Sequence, residues 1–322
     1  MRIVQVIGTL RGGGAERVAI NLHKGFLKEN INSEIVIFNN SKVDYDIDYK
    51  FLEKEKIVNY IKNFDLVIAH MDDSAKILQP IKKQKNVFFV VHTAIYERSK
   101  SLNIFKMIKR QGYLRKIYNN SNIITVSNGI QNDIKNLKIK YNFLKTIYNP
   151  FDFEEIKNLA NEKINLDFEY IINVGSFNKI KRQDLLIRIF AKLNTNLHLV
   201  LLGKGRQEKY LKNLAKKLGV EKRVHFLGWK QNPYPYIKNA KLMIHTSKFE
   251  GFGNVLVESL ILKTPVISTN YKWGVDEILD KNYIANNENE LIKKIKILKN
   301  YKFQNLDKFK IKNIIKEYKG LI

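Results

Sequence analysis

The chain has 322 residues, a length that suits two domains better than one core. It contains no cysteine, which excludes disulfides and thiolate metal sites, and no apolar run approaches the roughly 20 residues that a membrane span requires. The 57 Lys+Arg against 31 Asp+Glu give a net charge of +26. This charge predicts an anionic partner, such as a phosphorylated small molecule, an anionic lipid surface or nucleic acid. A compositional bias toward lysine is the alternative explanation.

Short β-branched runs alternate with helical stretches along the whole chain. The first half contains the strand-like runs RIVQVIG, SEIVIF, DLVIAH, NVFFVVH, NIITVS and KTIYNP, with a first helix predicted over 15–29. The second half restarts with YIINVGS and continues with LHLVLLG, RVHFLG, KLMIHTS and PVIST, with helices predicted over 183–193, over 207–218 and after Gly253. Strands that alternate with helices predict parallel sheets with right-handed crossovers.

The two series are separated by Asn149-Pro150 and a polar stretch to about residue 167. We therefore predict an α/β fold of two doubly wound parallel-sheet, Rossmann-like domains that face each other across a cleft. The first domain covers 1–152 and the second covers 153–305. The basic closing segment, 306–322, is predicted to be helical and can pack back on the first domain. Ligands of open α/β sheets bind at the carboxyl ends of the strands, so the residues that end each strand are the candidates.

A glycine-rich turn, GTLRGGGAER, follows the first strand and precedes the first helix. Gly13 and Gly14 allow close approach to a ligand, and the helix N-terminus offers N–H groups to an anion. The turn lacks the glycine spacing of the dinucleotide fingerprint and the Gly-Lys-Ser/Thr of a Walker A loop. An ordinary tight turn is the alternative.

Cations end two strands of the second domain. VGSFNKIKRQD carries Lys179, Lys181 and Arg182, and LLGKGRQEKY carries Gly203, Lys204 and a further arginine. Two such loops at one sheet edge suit a diphosphate, because charge-assisted hydrogen bonds to phosphate are strong. The alternative is a pair of solvated basic loops.

The stretch FEGFGNVLVESL places Glu250 before a glycine turn and Glu258 in an apolar helix whose predicted N-cap is Asn254. A carboxylate among apolar side chains needs hydrogen-bond donors, and sugar hydroxyls are natural ones. The N–H groups around Gly253 suit phosphate. The expected ligand therefore carries hydroxyl groups at both ends and phosphate between them, which is the chemistry of a nucleotide sugar. A solvated helix with two surface glutamates is the alternative.

Residues 250–258, EGFGNVLVE, resemble the E-x7-E motif of retaining glycosyltransferases with the GT-B fold, family 4 in particular. GGGAER, VGSFNKIKRQDLLI, LVLLGKG, RVHFLGW, NPYPY, FEGFGNVLVES, TPVIST and GVDEIL follow one another in that family's order. The resemblance implies a GT-B enzyme with an acceptor-side first domain and a nucleotide-sugar-binding second domain. It also implies metal-independent transfer without a cofactor, with UDP the favoured carrier.

The resemblance also implies individual roles. Glu258 binds the ribose, Glu250 positions the donor sugar, Lys181 holds the diphosphate, and His92 lies near the reacting sugar. The implied catalytic residues are Glu250, His92 and Lys181. The implied donor-binding residues are Gly13, Gly14, Arg182, Gly203, Lys204, Gly251, Phe252, Gly253, Asn254, Val255 and Glu258. Ser176 stands where the family most often has arginine, so Arg182 is expected to substitute, and a non-transferring pseudoenzyme is the alternative.

Residues 98–132 contain no acidic residue. Seven basic residues lie among aromatic and aliphatic ones: Arg98, Lys100, Lys106, Lys109, Arg110, Arg115 and Lys116. All of them except Lys100 are candidates for membrane or acceptor contact. This pattern predicts docking on an anionic membrane surface. We therefore expect a peripheral protein on the inner face of the cytoplasmic membrane. The expected acceptor is a lipid-linked or surface glycan, such as lipopolysaccharide, capsule or an undecaprenyl-linked oligosaccharide. The alternatives are a helix packed on the first domain, a soluble enzyme that glycosylates a small molecule, and a nucleic-acid-binding protein.

One aspartate-rich stretch, VDYDIDYK, superficially resembles the metal-binding D-x-D of the other glycosyltransferase fold. It falls in a charged loop, where alternating aspartate and tyrosine indicate a solvated edge. The six histidines show no zinc-ligand spacing. We therefore predict no metal, and we expect no nucleic acid among the partners.

Overall fold

The computed structural model describes residues 1–40, 43–100, 102–296 and 301–322. The chain forms two compact units: Met1–Asp152 with Asp307–Ile322, and Phe153–Leu306. Each unit contains one parallel sheet with helices packed against it. The predicted fold class, two doubly wound parallel sheets, is confirmed.

The sheet of the first unit contains seven strands within the described residues. They are β1 (Arg2–Ile7), β2 (Asn32–Ile37), β3 (Lys50–Phe51), β4 (Leu66–His70), β5 (Val87–Val91), β6 (Asn122–Thr125) and β7 (Phe143–Thr146). The spatial order is β3-β2-β1-β4-β5-β6-β7. The central strands read as unbroken apolar runs because helices cover both faces of a doubly wound sheet. The order reverses between β1 and β4, and ligands of such sheets bind at this kind of switch point.

The helices that follow these strands are α1 (Gly14–Lys28), α2 (Lys54–Tyr60), α3 (Met71–Ile77), α4 (Ile95–Ser99), α5 (Ile104–Tyr118) and α6 (Asn128–Asn136). Helix α1 begins and ends one residue before its predicted bounds. The segment between β2 and β4, for which the sequence predicted no strand or helix, holds β3 and α2. Both elements are short and carry many charged or polar residues, so they give no apolar periodicity to recognise.

The sheet of the second unit contains six strands within the described residues. They are β8 (Tyr170–Val174), β9 (His198–Leu202), β10 (Val224–Gly228), β11 (Leu242–His245), β12 (Val266–Thr269) and β13 (Ile284–Ala285), in the order β10-β9-β8-β11-β12-β13. The helices are α7 (Phe153–Leu159), α8 (Gln183–Lys192), α9 (Glu208–Lys217), α10 (Tyr234–Lys238), α11 (Asn254–Ile261) and α12 (Glu288–Lys296). Here the order reverses between β8 and β11.

The last helix, α13 (Ile311–Lys319), belongs to the first unit and packs against α1. It is shorter than the predicted 306–322. Gly25 makes the close contact possible, since a Cβ atom there would lie 2.8 Å from Cδ1 of Ile315. The rings of Phe26 and Tyr318 meet edge to face, with centroids 6.1 Å apart. The end of the chain therefore completes the core of the unit in which the chain begins.

Candidate active site

The switch point of the second sheet brings two predicted segments together. The loop after β8 carries Lys181, and the loop after β11 carries Glu250. The two loops are tied to each other, because Lys248 N donates to the Ile180 carbonyl at 2.8 Å and Thr246 Oγ1 donates to the Lys181 carbonyl at 2.9 Å. These bonds fix the backbone of both loops before any ligand binds.

A charge cluster forms where these loops meet. Three groups converge on Oε1 of Glu250: Lys181 Nζ at 2.5 Å, Ser247 Oγ at 2.6 Å and His245 Nε2 at 3.1 Å. The side chains of Lys181 and Glu250 are only 25% and 14% exposed, and His245 and Ser247 are buried. We call these four residues the Glu250 cluster. The motif indicated Lys181 and Glu250, but no sequence pattern indicated His245 and Ser247.

The protonation states of the Glu250 cluster follow from its surroundings. Burial raises the pKa of Glu250, but the charge of Lys181 and the hydrogen bond from His245 outweigh that effect and hold the pKa well below its usual value. Burial lowers the pKa of His245 despite the opposing influence of Glu250. Glu250 is therefore a carboxylate that only accepts hydrogen bonds, so neutral His245 carries its proton on Nε2.

Arg182 starts α8 from a left-handed backbone conformation, with φ of 52°. Asn178 shapes the preceding turn, because its Oδ1 accepts from the backbone N–H groups of Ile180 and Lys181 at 2.9 and 3.1 Å. Ser176, the departure from the family pattern, is exposed in this same turn. Lys181 and Arg182 are half-buried neighbours at the carboxyl end of β8. The turn therefore presents two adjacent cationic side chains.

Helix α11 begins one residue earlier than predicted, because its N-cap is Gly253 and not Asn254. Gly253 has φ of 104°, which other residues rarely adopt. A Cβ atom there would also lie 2.4 Å from the Tyr271 hydroxyl, which donates to the Phe252 carbonyl at 2.7 Å. Asn254 is therefore the first helical residue, and its side chain does not cap the helix.

The rest of the motif lies on this turn and helix. Gly251 and Phe252 are buried, and Val255 is half-buried. Glu258 lies one turn further along α11 and is only 4% exposed. Burial of Glu258 agrees with the apolar side chains that flank it in sequence.

The loop after β9 supports the loop after β8. Gly203 is buried and Lys204 is exposed, with its Nζ 4.9 Å from the ring centroid of Trp229. Phe177 N donates to the Lys204 carbonyl at 3.0 Å, and Gln207 N donates to the Phe177 carbonyl at 3.1 Å. A Cβ atom on Gly205 would lie 2.3 Å from that carbonyl oxygen. The glycines therefore allow the two loops to pack backbone against backbone.

In the first unit, the predicted glycines lie at the start of α1. Gly13 is the extended N-cap residue and Gly14 is the first helical residue. The backbone N–H of Gly12 donates to Asp44 Oδ2 at 2.9 Å. Asp44 belongs to the aspartate-rich loop, so that loop orders the glycine turn. Across the described residues, no group of three or more His, Asp or Glu side chains is placed to hold a metal ion.

His92 directly follows β5. Its Nε2 lies 2.9 Å from Nδ1 of His70, a residue that sequence analysis did not select. Burial lowers the pKa of His92 to about 3, so its imidazole is neutral at physiological pH. An imidazole in this state can accept or donate a hydrogen bond but contributes no charge.

The six basic residues predicted for membrane contact divide into two groups. Arg98, Lys106, Lys109 and Lys116 are exposed. Arg110 instead forms an ion pair with Asp72, and Arg115 Nε donates to the Leu137 carbonyl at 2.8 Å. These two arginines therefore have partners within the first unit. Their assignment to a membrane or acceptor surface stays a prediction. Among the described helices, none combines the length and apolar character needed to cross a bilayer.

Four apolar side chains beside these lysines are exposed: Leu102 (41%), Ile104 (56%), Phe105 (81%) and Ile108 (60%). Ile104, Phe105 and Ile108 form one stripe along the first turns of α5, since residues three and four apart share a helix face. We call these four residues, with Lys106 and Lys109, the α5 patch. Contiguous exposed apolar residues mark interaction surfaces.

Two doubly wound parallel sheets, each with loops at its switch point where ligands of such sheets bind, are the architecture of GT-B glycosyltransferases. Residues 154–314, half of the chain, match the family described as glycosyl transferases group 1. The chain therefore belongs to this family: it is a glycosyltransferase of family 4, a group that retains anomeric configuration. The family predicted from the order of motifs is confirmed.

Two curated relatives are similar to this chain. An N-acetylgalactosamine-N,N'-diacetylbacillosaminyl-diphospho-undecaprenol 4-alpha-N-acetylgalactosaminyltransferase of Campylobacter jejuni is 32% identical over 61% of this chain and 56% of its own length. An N-acetyl-alpha-D-glucosaminyl L-malate synthase of Bacillus anthracis is 30% identical over 47% of this chain and 40% of its own length. The chain thus aligns with only about half the length of these relatives.

Among solved structures, Anabaena HepE in complex with UDP superimposes with a TM-score of 0.75 at 17% identity, covering 99% of this chain and 95% of that chain. At that identity, the likeness shows the fold alone. It confirms that the GT-B arrangement of elements extends over the whole of this chain.

Proposed function

We propose that this glycosyltransferase transfers a sugar from a nucleotide-sugar donor, with UDP as the favoured carrier. The Glu250 cluster is the observation that carries the proposal. It places a cation and a carboxylate side by side at the carboxyl edge of the second sheet, where a ligand of this fold binds. Lys181 and Arg182 hold the diphosphate, and Glu250 accepts hydrogen bonds from hydroxyl groups of the transferred sugar.

The α11 region supplies the remaining donor contacts in this proposal. The first N–H groups of α11, at Asn254 and Val255, bind phosphate oxygens in this proposal, because the N–H groups at a helix N-terminus point out of the helix and its dipole is positive at that end. Glu258, buried on the same helix, accepts hydrogen bonds from the ribose hydroxyls. Gly13 and Gly14 of the first unit contribute backbone contacts, as the family resemblance implies.

Charge stabilisation by protein groups explains the proposed transfer without a metal. The departing nucleoside diphosphate gains negative charge in the transition state, and preorganised cations stabilise that charge. Glu250 is poorly suited to act as a nucleophile, since its Oε1 already accepts three hydrogen bonds and its pKa is depressed. We therefore assign Glu250 to positioning and charge stabilisation, and we propose front-face displacement as the route to retention.

Thermal stabilisation by nucleotides tests the donor site. UDP, GDP and TDP are each added in the presence of EDTA to the wild type, to Glu258→Gln and to the control Glu169→Gln, which changes an exposed glutamate of the same unit. A ligand at a hundred times its Kd adds about 2.7 kcal/mol of stability. We expect UDP to stabilise the wild type and the control but not Glu258→Gln. Equal stabilisation of all three proteins would contradict the assignment of Glu258.

We further propose a lipid-linked or surface glycan as the acceptor, reached at the inner face of the cytoplasmic membrane. The Campylobacter relative is named for a diphospho-undecaprenol acceptor, and the α5 patch has the chemistry of a membrane-docking surface. Fully burying a side chain such as phenylalanine or isoleucine contributes about 1.5–3 kcal/mol, and each lysine near an anionic surface adds about 1 kcal/mol. The apolar stripe inserts, and Lys106 and Lys109 contact lipid phosphates.

Vesicle flotation tests this docking surface. The wild type is expected to float with vesicles that contain anionic lipid and to remain behind with neutral ones. Phe105→Ser combined with Ile108→Ser is expected to abolish flotation. Tyr210→Ser, which removes an apolar side chain that is 46% exposed on α9, serves as the matched control. Flotation of the double variant at the wild-type level would rule out the α5 patch as the docking surface.

A soluble small-molecule acceptor is the second candidate, and the Bacillus anthracis relative, named as an L-malate synthase, favours it. Transfer to a water-soluble hydroxy acid by a protein that does not float with vesicles would support this candidate. Transfer that requires a lipid-linked acceptor would support the first.

A further inference from the structure

Three polar residues on adjacent strands of the first sheet form a hydrogen-bonded line that ends at His92. Gln5 pairs in register with Ile68, and His70 pairs with Val90. Side chains alternate along a strand and register partners share a face. Gln5, His70 and His92 therefore lie on one face of the sheet and step toward its carboxyl edge.

The proton positions along this line follow from one fixed acceptor, the Ala19 carbonyl of α1. Gln5 Nε2 donates to it at 3.0 Å, so the amide oxygen of Gln5 faces His70. That oxygen lies 3.0 Å from His70 Nε2. An amide oxygen can only accept, so the proton between the two atoms is on His70 Nε2.

The same reasoning continues to His92. His70 is fully buried, and burial lowers its pKa well below the usual value, so His70 is neutral and its Nδ1 carries a lone pair. His70 Nδ1 must then accept the proton of His92 Nε2, 2.9 Å away. Because His92 is also neutral, its own Nδ1 is left as an acceptor. Within the described part of the chain, no hydrogen bond reaches that atom.

The backbone beside His70 gives a second, independent sign that this position is held in place. Met71, the next residue, has φ of 70°, a left-handed conformation that costs energy for any residue other than glycine. Met71 is 42% exposed, so burial of its own side chain does not explain the conformation. The strain lies at the carboxyl end of β4, beside the hydrogen-bonded line.

We propose that Gln5 and His70 are positioning residues that hold His92 in the tautomer protonated on Nε2, so that Nδ1 accepts a hydrogen bond from a hydroxyl group of the sugar substrate. The inference rests on the proposed function, since that function supplies the sugar. It specifies the kind of contact that His92 makes: neutral, and as an acceptor. A substrate whose matching hydroxyl is replaced by hydrogen loses this contact.

The tautomer can be measured directly by nitrogen-15 NMR of the histidine rings in the ligand-free full chain. His92 is assigned from the signal that disappears in His92→Gln. We expect wild-type His92 to show a protonated Nε2 and an unprotonated Nδ1, and we expect Gln5→Leu and His70→Leu to give mixed tautomers. His23→Leu is the control, because His23 is a buried histidine of the same unit that bonds to Ser33 instead.

Kinetics give the second readout. Loss of one oriented hydrogen bond corresponds to a fall in rate of about two- to tenfold, which we expect in kcat for Gln5→Leu and His70→Leu with a smaller change in the donor KM. His70→Asn keeps an acceptor near the Nδ1 position and is expected to recover part of the loss. Wild-type His92 protonated on Nδ1, or variants with unchanged tautomer and kcat, would overturn the inference. Failure of UDP to bind the wild type would instead overturn the proposed function, because the tautomer is read without ligand.

Discussion

The ion pair between Lys181 and Glu250 is expected to be a strong stabilising contact of the second unit. Breaking a fully buried pair costs about 3–5 kcal/mol, since one charge is left without its partner. Here the side chains retain 25% and 14% exposure, and Ser247 and His245 still donate to Glu250 after Lys181 is removed. We therefore expect Lys181→Met to lower the free energy of unfolding by about 2 kcal/mol.

A double-mutant cycle separates the pair from its surroundings. In the Glu250→Gln background the carboxylate is absent, so Lys181→Met is expected to cost about 0.5 kcal/mol and the coupling energy is about 1.5 kcal/mol. Urea unfolding followed by tryptophan fluorescence is the appropriate assay. The two tryptophans of the chain, Trp229 and Trp273, both lie in the second unit, so the signal reports on that unit.

An exposed ion pair of the same unit is the control. Lys192 and Glu288 are 2.6 Å apart, but their side chains are 62% and 33% exposed, and such surface pairs contribute about 0–1 kcal/mol. Lys192→Met should therefore cost much less than Lys181→Met. Equal costs for the two substitutions would refute the argument that burial determines the strength of the Lys181 contact.

Four further substitutions test the remaining features. Because the folded pKa of His92 is about 3, only the unfolded chain binds this proton between pH 6.5 and pH 5.5. His92 alone should therefore lower the free energy of unfolding by about 1.3 kcal/mol between neutral pH and pH 5.5, and His92→Gln should remove that contribution in urea unfolding followed by circular dichroism. Gly205→Ala should destabilise the protein by about 1–3 kcal/mol, because the added Cβ would press on the Phe177 backbone. Gly112→Ala adds to helix α5 a Cβ that meets open space, and it should stabilise the protein by about 0.5–1 kcal/mol. Gly25→Val should weaken the packing of α13 and increase its hydrogen exchange.

The sequence was sufficient to predict the fold, because parallel strands buried on both faces give unbroken apolar runs that end in recognisable loops. The runs DLVIAH and KLMIHTS correspond closely to β4 and β11. Segments without such a pattern were not predicted. Helix α2 is seven residues long with one buried residue, Ile57, so its apolar periodicity is too weak to detect.

Contacts that depend on tertiary register could not be predicted from the sequence. His245 and Ser247 join the Glu250 cluster because the end of β11 brings them beside the loop after β8. Arg110 lies in a basic stretch whose composition is typical of a membrane-binding surface. Its partner Asp72, which is distant in the sequence, comes next to it only in the folded unit. A charged residue in a basic stretch therefore indicates only that a partner exists. The fold decides whether that partner is inside the protein or outside it.

The two glutamates of the motif lie on opposite sides of one rigid turn, and their surroundings differ. Tyr271 fixes the turn from within the core, since its hydroxyl binds the Phe252 carbonyl and occupies the space that a side chain at Gly253 would need. Glu250, before the turn, is held by charge and remains partly exposed. Glu258, after it, is buried within α11. Because the turn cannot move without breaking the Tyr271 contact, it restrains the distance between the two carboxylates. In the proposed function, that distance limits the length of the ligand that the two carboxylates bind.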